Sequence, residues 1–352
     1  MGFHIGRPQA QRLGFATVAG GASLMAAIGL ASVLTTRPRA HADDVRALVE
    51  YVRDYHVDPL TLILSGARSH RIVFLGDVHP SAEPKRIAAE AIERLARGPG
   101  LEAVVLEVGS DQQPHIDRYL ATDPEDVSIL LANPRTLRGH WGLSREYLEI
   151  YRRVWRLNRA LGPTRQIRIV AADLPGWPPE RPLPPHVAAA RYAERDAHMA
   201  EIVTTRVLDR HPTARALIFM GGYHGLKSGS AELRFGGGPP ATVTWLAARL
   251  RERYPTEVFT VVADGAPYPS AHGELSSFGV TRVFDLFRRN GPRAATPFAV
   301  LVNDRFDFLR KPIYESAGAG VTLELRPDGY RLRDLIDGYI YLGVARGIDR
   351  IR

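Results

Sequence analysis

The chain has 352 residues, of which 45% are hydrophobic and 24% charged, a balance that suits a folded globular protein and argues against disorder. It contains no cysteine, which excludes disulfides, thiolate metal sites, a cysteine nucleophile and a lipid-bearing cysteine. The formal charge of +8 includes Arg7, Arg12, Arg37 and Arg39, so beyond residue 42 the chain carries 42 basic against 38 acidic residues; no dense basic block with interleaved aromatics gives a case for a nucleic-acid partner.

Arg7 and Arg12 precede an uncharged, Ala- and Gly-rich stretch from Leu13 to Thr36, and Ala40-His41-Ala42 then supplies a small-x-small site. Residues 1–42 therefore read as an export signal cleaved after Ala42 or, if uncleaved, as a membrane anchor; either way the body is expected outside the cytoplasm, periplasmic or extracellular. Residues 43–352 are read as a single α/β domain with loop insertions.

Within that body, 44–55 has helical spacing through Val45, Leu48, Val49 and Val52. A first strand is expected at 71–75, then a helix from Pro84 to Gly98, a second strand at 102–107 and a helix at 111–121, with 122–142 irregular. Ser144 can cap a long helix reaching Leu161. A third strand follows at 167–173, a proline-rich connection at 175–185, and a helix from about Val187 to Arg210. A fourth strand is expected at 216–224, a Gly/Pro loop at 225–240, a helix at 242–253, a fifth strand at 258–264 and one more at 298–304. Alternating strands and helices predict a mainly parallel sheet covered by helices on both faces.

The polar residues fall where such a sheet binds ligands, at the carboxyl ends of its strands. The first strand runs out in Asp77 and His79, the second in Glu107, the third in Asp173, the fourth in Tyr223 and His224, and the fifth in Asp264. Each alone has an ordinary explanation. An acid after a strand is often a turn former, and this is the preferred reading of Asp264 before Gly265. Their recurrence at successive strand ends is the stronger signal. In the later helix, Arg195 and Asp196 read from spacing alone as a solvated surface pair, and Tyr192 and Met199 as core.

Taken in order, "FLGDVHPS", "LEVGSDQQPHIDRYL", "AADLPG", "RDAHMA" and "GGYHG" resemble the ChaN-like haem-binding family, part of a wider group with the erythromycin esterases and the Tiki/TraB proteins. The resemblance spans roughly residues 70–230. It departs at Asp77, where the family usually has Glu, and at Asp173, where it has Asn. The last third, 231–352, has no match in that pattern. The resemblance implies that His79, Glu107, Arg195, Asp196 and His224 line one pocket, in an extracytoplasmic protein of the haem-uptake kind. The family's founding members are lipoproteins, a route closed to this chain by the absence of cysteine.

Two functions follow, each with a small-molecule partner and neither fixing an oligomeric state. The first, put foremost by the resemblance, is haem binding, with Tyr223 as candidate axial ligand; with no cysteine, only Tyr, His or Met could ligate the iron. The second is an esterase- or peptidase-type hydrolase. Without a metal, His79 would take a proton from water, Glu107 would orient the imidazole, and Arg195 would hold a carboxylate or an oxyanion. With a divalent metal, His79, Glu107 and His224 would be its ligands and leave a position open for water. Acids and an arginine suit hydrolysis better than an apolar porphyrin pocket.

Overall fold

In the computed structural model, which describes residues 38–137, 144–179, 181, 183–235, 238–266, 297–308, 314–316, 321–325, 331–344 and 346–351, strands and helices alternate through most of the chain. The first helix, α1 (Pro38–Tyr55), is followed by α2 (Pro59–Ser69). The sequence reading missed α2, although its start is well marked: the Asp58 side chain accepts the Leu60 N–H at 2.9 Å and Pro59 occupies the first turn. Then come β1 (Ile72–Asp77), α3 (Ala82–Arg97), β2 (Ala103–Gly109), α4 (Gln113–Ala121), the one-turn α5 (Ser128–Leu131) and α6 (Arg145–Leu161). Ser144 caps α6 as expected, accepting the Tyr147 N–H at 3.0 Å. Next are β3 (Arg168–Asp173), α7 (Pro185–Val203) with a π-turn after it, and β4 (Ala216–Gly221).

The region expected to be a Gly/Pro loop instead holds β5 (Ser230–Phe235), and the expected helix at 242–253 is split into β6 (Ala241–Thr244) and α8 (Leu246–Arg253). The remaining elements are β7 (Val258–Ala266), β8 (Phe298–Leu301), β9 (Tyr314–Ser316), β10 (Val321–Leu325), the one-turn α9 (Leu332–Leu335) and β11 (Gly338–Val344). The export signal read at 1–42 lies outside the described residues up to residue 37. No described helix is long and apolar enough to cross a membrane.

The main sheet has the order β3-β2-β4-β1-β7-β11-β8, parallel throughout except for β8. Its strands are buried on both faces, as the uninterrupted apolar runs require. Along β1, Val73 and Leu75 join a core built with Ile63 of α2, Ile92 of α3 and Ile150 of α6, while Ile72 and Phe74 join another built with Met199 of α7 and Leu250 of α8. A second, antiparallel sheet of order β6-β5-β10-β9 packs its first strands against α7. In the main sheet β1, β4, β2 and β3 are consecutive neighbours, which is the arrangement a shared site at their carboxyl ends requires.

A candidate site at the strand ends

Asp77, the last residue of β1, is buried and accepts two hydrogen bonds from Lys85 Nζ, at 2.7 and 2.8 Å. Burial alone would raise its carboxyl pKa; the Lys85 ammonium more than offsets this and holds it below the ordinary value. Lys85 also donates to the backbone carbonyls of Val78 and His79, so one buried cation ties the carboxylate to the loop that follows. The His79 ring sits 3.0 Å from Asp77 Oδ2 through Nδ1 and 3.8 Å from Glu107 Oε2 through Nε2. The first contact is a hydrogen bond; the second is beyond direct hydrogen-bond length.

Glu107 is the hub of the cluster. Its Oε1 accepts from Arg195 Nη2 at 2.5 Å and lies 3.5 Å from His224 Nε2, while Oε2 accepts the Gly221 N–H at 2.9 Å. Gly221 ends β4, and a methyl group there would meet His79 Nε2 at 2.9 Å and Glu107 Oε2 at 3.4 Å. Only a residue without a side chain lets this backbone approach both groups. Arg195 also makes a bidentate pair with Asp173, at 3.0 and 2.6 Å, and its guanidinium stacks over Trp177 at 4.6 Å. Burial would lower the Arg195 pKa, but Asp173 and Glu107 raise it further, so its charge is permanent.

His224 occupies the short turn Gly222–Gly225 after β4. Its Nδ1 lies 2.8 Å from Asp196 Oδ1, which also accepts the Leu246 N–H at 2.6 Å and so anchors the start of α8. Burial favours the neutral imidazole, yet Asp196 first and Glu107 second push the pKa up to about 10. His224 is therefore a fixed positive charge at neutral pH.

His79, Glu107, Asp173, Arg195, Asp196 and His224 are thus brought together. Arg195 and Asp196 are 3% and 1% exposed, which corrects the surface-pair reading of their spacing. That reading failed because it took no account of what packs on α7, where β5, β6 and α8 all lie. Tyr223 is half-buried beside His224, its ring stacked on Trp245 at 5.6 Å. Asp264 is not a turn former: it is a buried residue of β7 that accepts the Tyr339 hydroxyl at 2.8 Å. Lys85 was missed; a lysine in the first turn of a helix reads as solvated, and only its position after the "DVHPS" loop hints otherwise.

Among the described residues no group of His, Asp and Glu is arranged to hold a metal ion: Glu107 is engaged by Arg195 and the Gly221 amide, and His224 Nδ1 faces Asp196. "DQQP", the most family-like motif, is structural. Gln113 donates to the Ile169 carbonyl at 2.8 Å and accepts the Ala171 N–H at 2.9 Å, so its amide pairs with the edge strand β3 as another strand would.

Residues 63–177 match a family model described as "Haem-binding uptake, Tiki superfamily, ChaN". No curated protein matches the chain. Among solved structures, a histidine-to-asparagine mutant of the erythromycin esterase EreC in its open conformation aligns over 83% of this chain and 94% of its own, with a TM-score of 0.55 at 13% identity. A Bacillus cereus protein aligns over 88% and 99%, with a TM-score of 0.60 at 11% identity. A succinoglycan biosynthesis protein aligns over 86% and 98%, with a TM-score of 0.58 at 10% identity. At such identities the likeness shows the fold alone.

Proposed function

We propose that this chain, which carries a ChaN-like segment of the Tiki superfamily over residues 63–177, is a hydrolase in which His79 activates water for attack on an ester. The observation that carries the reading is the contrast between the two histidines. His224 is held as a cation by Asp196 and Glu107, whereas His79 is oriented by Asp77 through Nδ1 and turns Nε2 toward Glu107, its side chain remaining the more exposed of the two. With Nδ1 donating to Asp77, Nε2 is the acceptor, the tautomer a general base needs. Nε2 takes a proton as the water oxygen attacks the ester carbonyl carbon. The bond to the alcohol oxygen then breaks, and the same proton passes to that oxygen. Arg195 and His224 supply fixed positive charge beside the reacting groups.

Replacing His79 by Ala should lower the rate on activated esters such as p-nitrophenyl acetate by about a hundredfold or more, with partial rescue by added imidazole. A rate equal to the parent's would end this reading.

A second reading, haem handling, rests on the family match and on Tyr223 with its flat aromatic neighbour Trp245. A tyrosine beside an aromatic wall suits a porphyrin; the ion-paired carboxylates behind it do not, and for that reason hydrolysis comes first here. Tyr223 would hold the iron, and bound haem would supply redox-active iron as cargo. A saturable Soret change on haemin titration, lost in Tyr223→Phe, would favour this reading. Both readings place the protein outside the cytoplasm, on the strength of Ala40-His41-Ala42; N-terminal sequencing of exported protein tests that, with Asp43 as the expected first residue.

A further inference from the structure

The cluster has a neighbour that neither reading uses. Helix α6 precedes the parallel strand β3, so it runs against the strands and brings its first turn to their carboxyl edge. Tyr147 stands in that turn, 95% buried, with its ring 6.3 Å from that of Phe219, two residues before Gly221. Its hydroxyl has no hydrogen-bond partner among the described residues. The next tyrosine along the helix differs: the Tyr151 hydroxyl, equally buried, donates to the Thr136 carbonyl at 2.5 Å. Leaving a buried hydroxyl unpaired is costly, and phenylalanine would fill the same space without that cost. Burial, then the nearby Tyr151, then the carboxylates of Glu107, Asp77 and Asp173 all disfavour the phenolate, so Tyr147 stays a neutral O–H donor lying within the field of the site.

The C-terminal tail fastens this residue and His79 to one frame. Ala82 N–H donates to the Arg346 carbonyl at 2.8 Å and Ile348 N–H to the Pro80 carbonyl at 3.1 Å, just after His79. Three residues on, Arg145 N–H donates to the Asp349 carbonyl at 2.8 Å and Asp349 N–H to Glu146 at 3.0 Å, just before Tyr147.

We propose that Tyr147 is a ligand-facing hydrogen-bond donor of this site, and that it donates to the oxygen which gains negative charge when the ester carbonyl is attacked. This rests on the hydrolase reading for the name of the ligand, but not for the presence of the donor. The test uses the full protein, a Tyr147→Phe variant and a Tyr151→Phe control. Ester hydrolysis, thermal melting and calorimetric binding of phenyl methylphosphonate, a stable tetrahedral monoanion, are measured on each.

Tyr147→Phe should melt at or above the parent temperature while binding the phosphonate about tenfold or more weakly and losing a comparable factor in kcat with little change in KM. Tyr151→Phe should do the reverse, melting lower with phosphonate affinity and kcat unchanged. A parent that binds the phosphonate without hydrolysing esters, with binding weakened in Tyr147→Phe, would refute the hydrolase reading and leave the donor standing. Equal affinity in parent and Tyr147→Phe, or no binding by the parent, would overturn the assignment of Tyr147.

Discussion

Glu107→Gln is the substitution that puts most of the site at stake, because it changes a charge and almost no volume. Glu107 offers two acceptor oxygens, Oε1 to the Arg195 guanidinium with His224 close by and Oε2 to the Gly221 amide. A glutamine offers one acceptor and one amino group, so whichever way it turns, one donor faces another donor. The loss is a hydrogen bond to a charged group, about 1.5–3 kcal/mol, together with the cost of an unpaired buried donor, about 1–3 kcal/mol. Arg195 keeps its bidentate pair with Asp173, which keeps the total near the lower end of the ~3–5 kcal/mol typical of breaking a buried ion pair. For a chain of this size that corresponds to a fall in Tm of roughly 4–6 °C. The same change removes one of the two carboxylates that hold His224 charged. Its pKa should fall below about 10, with Asp196 the remaining carboxylate that opposes burial. Scanning calorimetry gives the first quantity and an NMR titration of the His224 ring the second. A Tm within about 2 °C of the parent, with the His224 titration unmoved, would mean that Glu107 does not organise the site and would refute the reasoning.

Stability should also follow pH on both sides. The folded pKa of His224 is raised from 6.5 to about 10, so its contribution is complete below about pH 6.5 and is lost as pH rises toward 10. That of Asp77 is lowered from 3.8, so its contribution is complete above about pH 4 and is lost as pH falls through the folded value. A Tm profile from pH 2 to 10 checks this, and a flat alkaline limb would contradict the His224 assignment. Gly221→Ala should displace His79 and depress ester hydrolysis by about tenfold or more, measured against a thermal melt that shows the fold intact. Gln113→Ala should expose the edge of β3 and lower stability by about 2 kcal/mol without changing catalysis; a chemical melt with parallel kinetics separates the two. Deleting residues 346–352 should loosen both the His79 loop and the start of α6, seen as faster amide hydrogen exchange at 81–82 and 145–147.

Much of the site was legible because its residues close apolar strands. Ile72-Val73-Phe74-Leu75 and Leu217-Ile218-Phe219 can only be buried parallel strands, so the first polar residues after them must lie at one edge. His79, Glu107, Asp173 and His224 were found in this way. Arg195 and Asp196 were not, because adjacent charges on a helix give the same pattern whether that face meets water or another layer. What buries them is β5, read as part of a Gly/Pro loop, and β6, read as the start of a helix, because nothing local marks two short strands whose partners lie elsewhere. One of those partners, β10, is about 90 residues further along the chain, beyond the reach of any local pattern. Tyr147 was hidden for the opposite reason. With Ile150, Tyr151 and Val154 it continues an apolar stripe, and nothing in that spacing distinguishes a hydroxyl that has a partner from one that has none.

On the proposed hydrolase reading, the charges of the cluster bear on why His79, rather than His224, would be the group that moves a proton. Asp77, Glu107, Asp173 and Asp196 are the carboxylates; Lys85, Arg195 and the His224 imidazolium are the cations that face them. The carboxylates exceed these cations by one. The imbalance is shared between Asp77 and Glu107, the two acids that flank the His79 ring at 3.0 and 3.8 Å. On the proposed hydrolysis, a proton transferred from water to His79 would bring this count of charges to balance. The same proton on His224 would have nowhere to go, since that ring already carries one on each nitrogen. On that reading the histidine two positions after β1 would complete the charge count when it takes up a proton from water and restore the starting count when it passes the proton to the leaving alcohol.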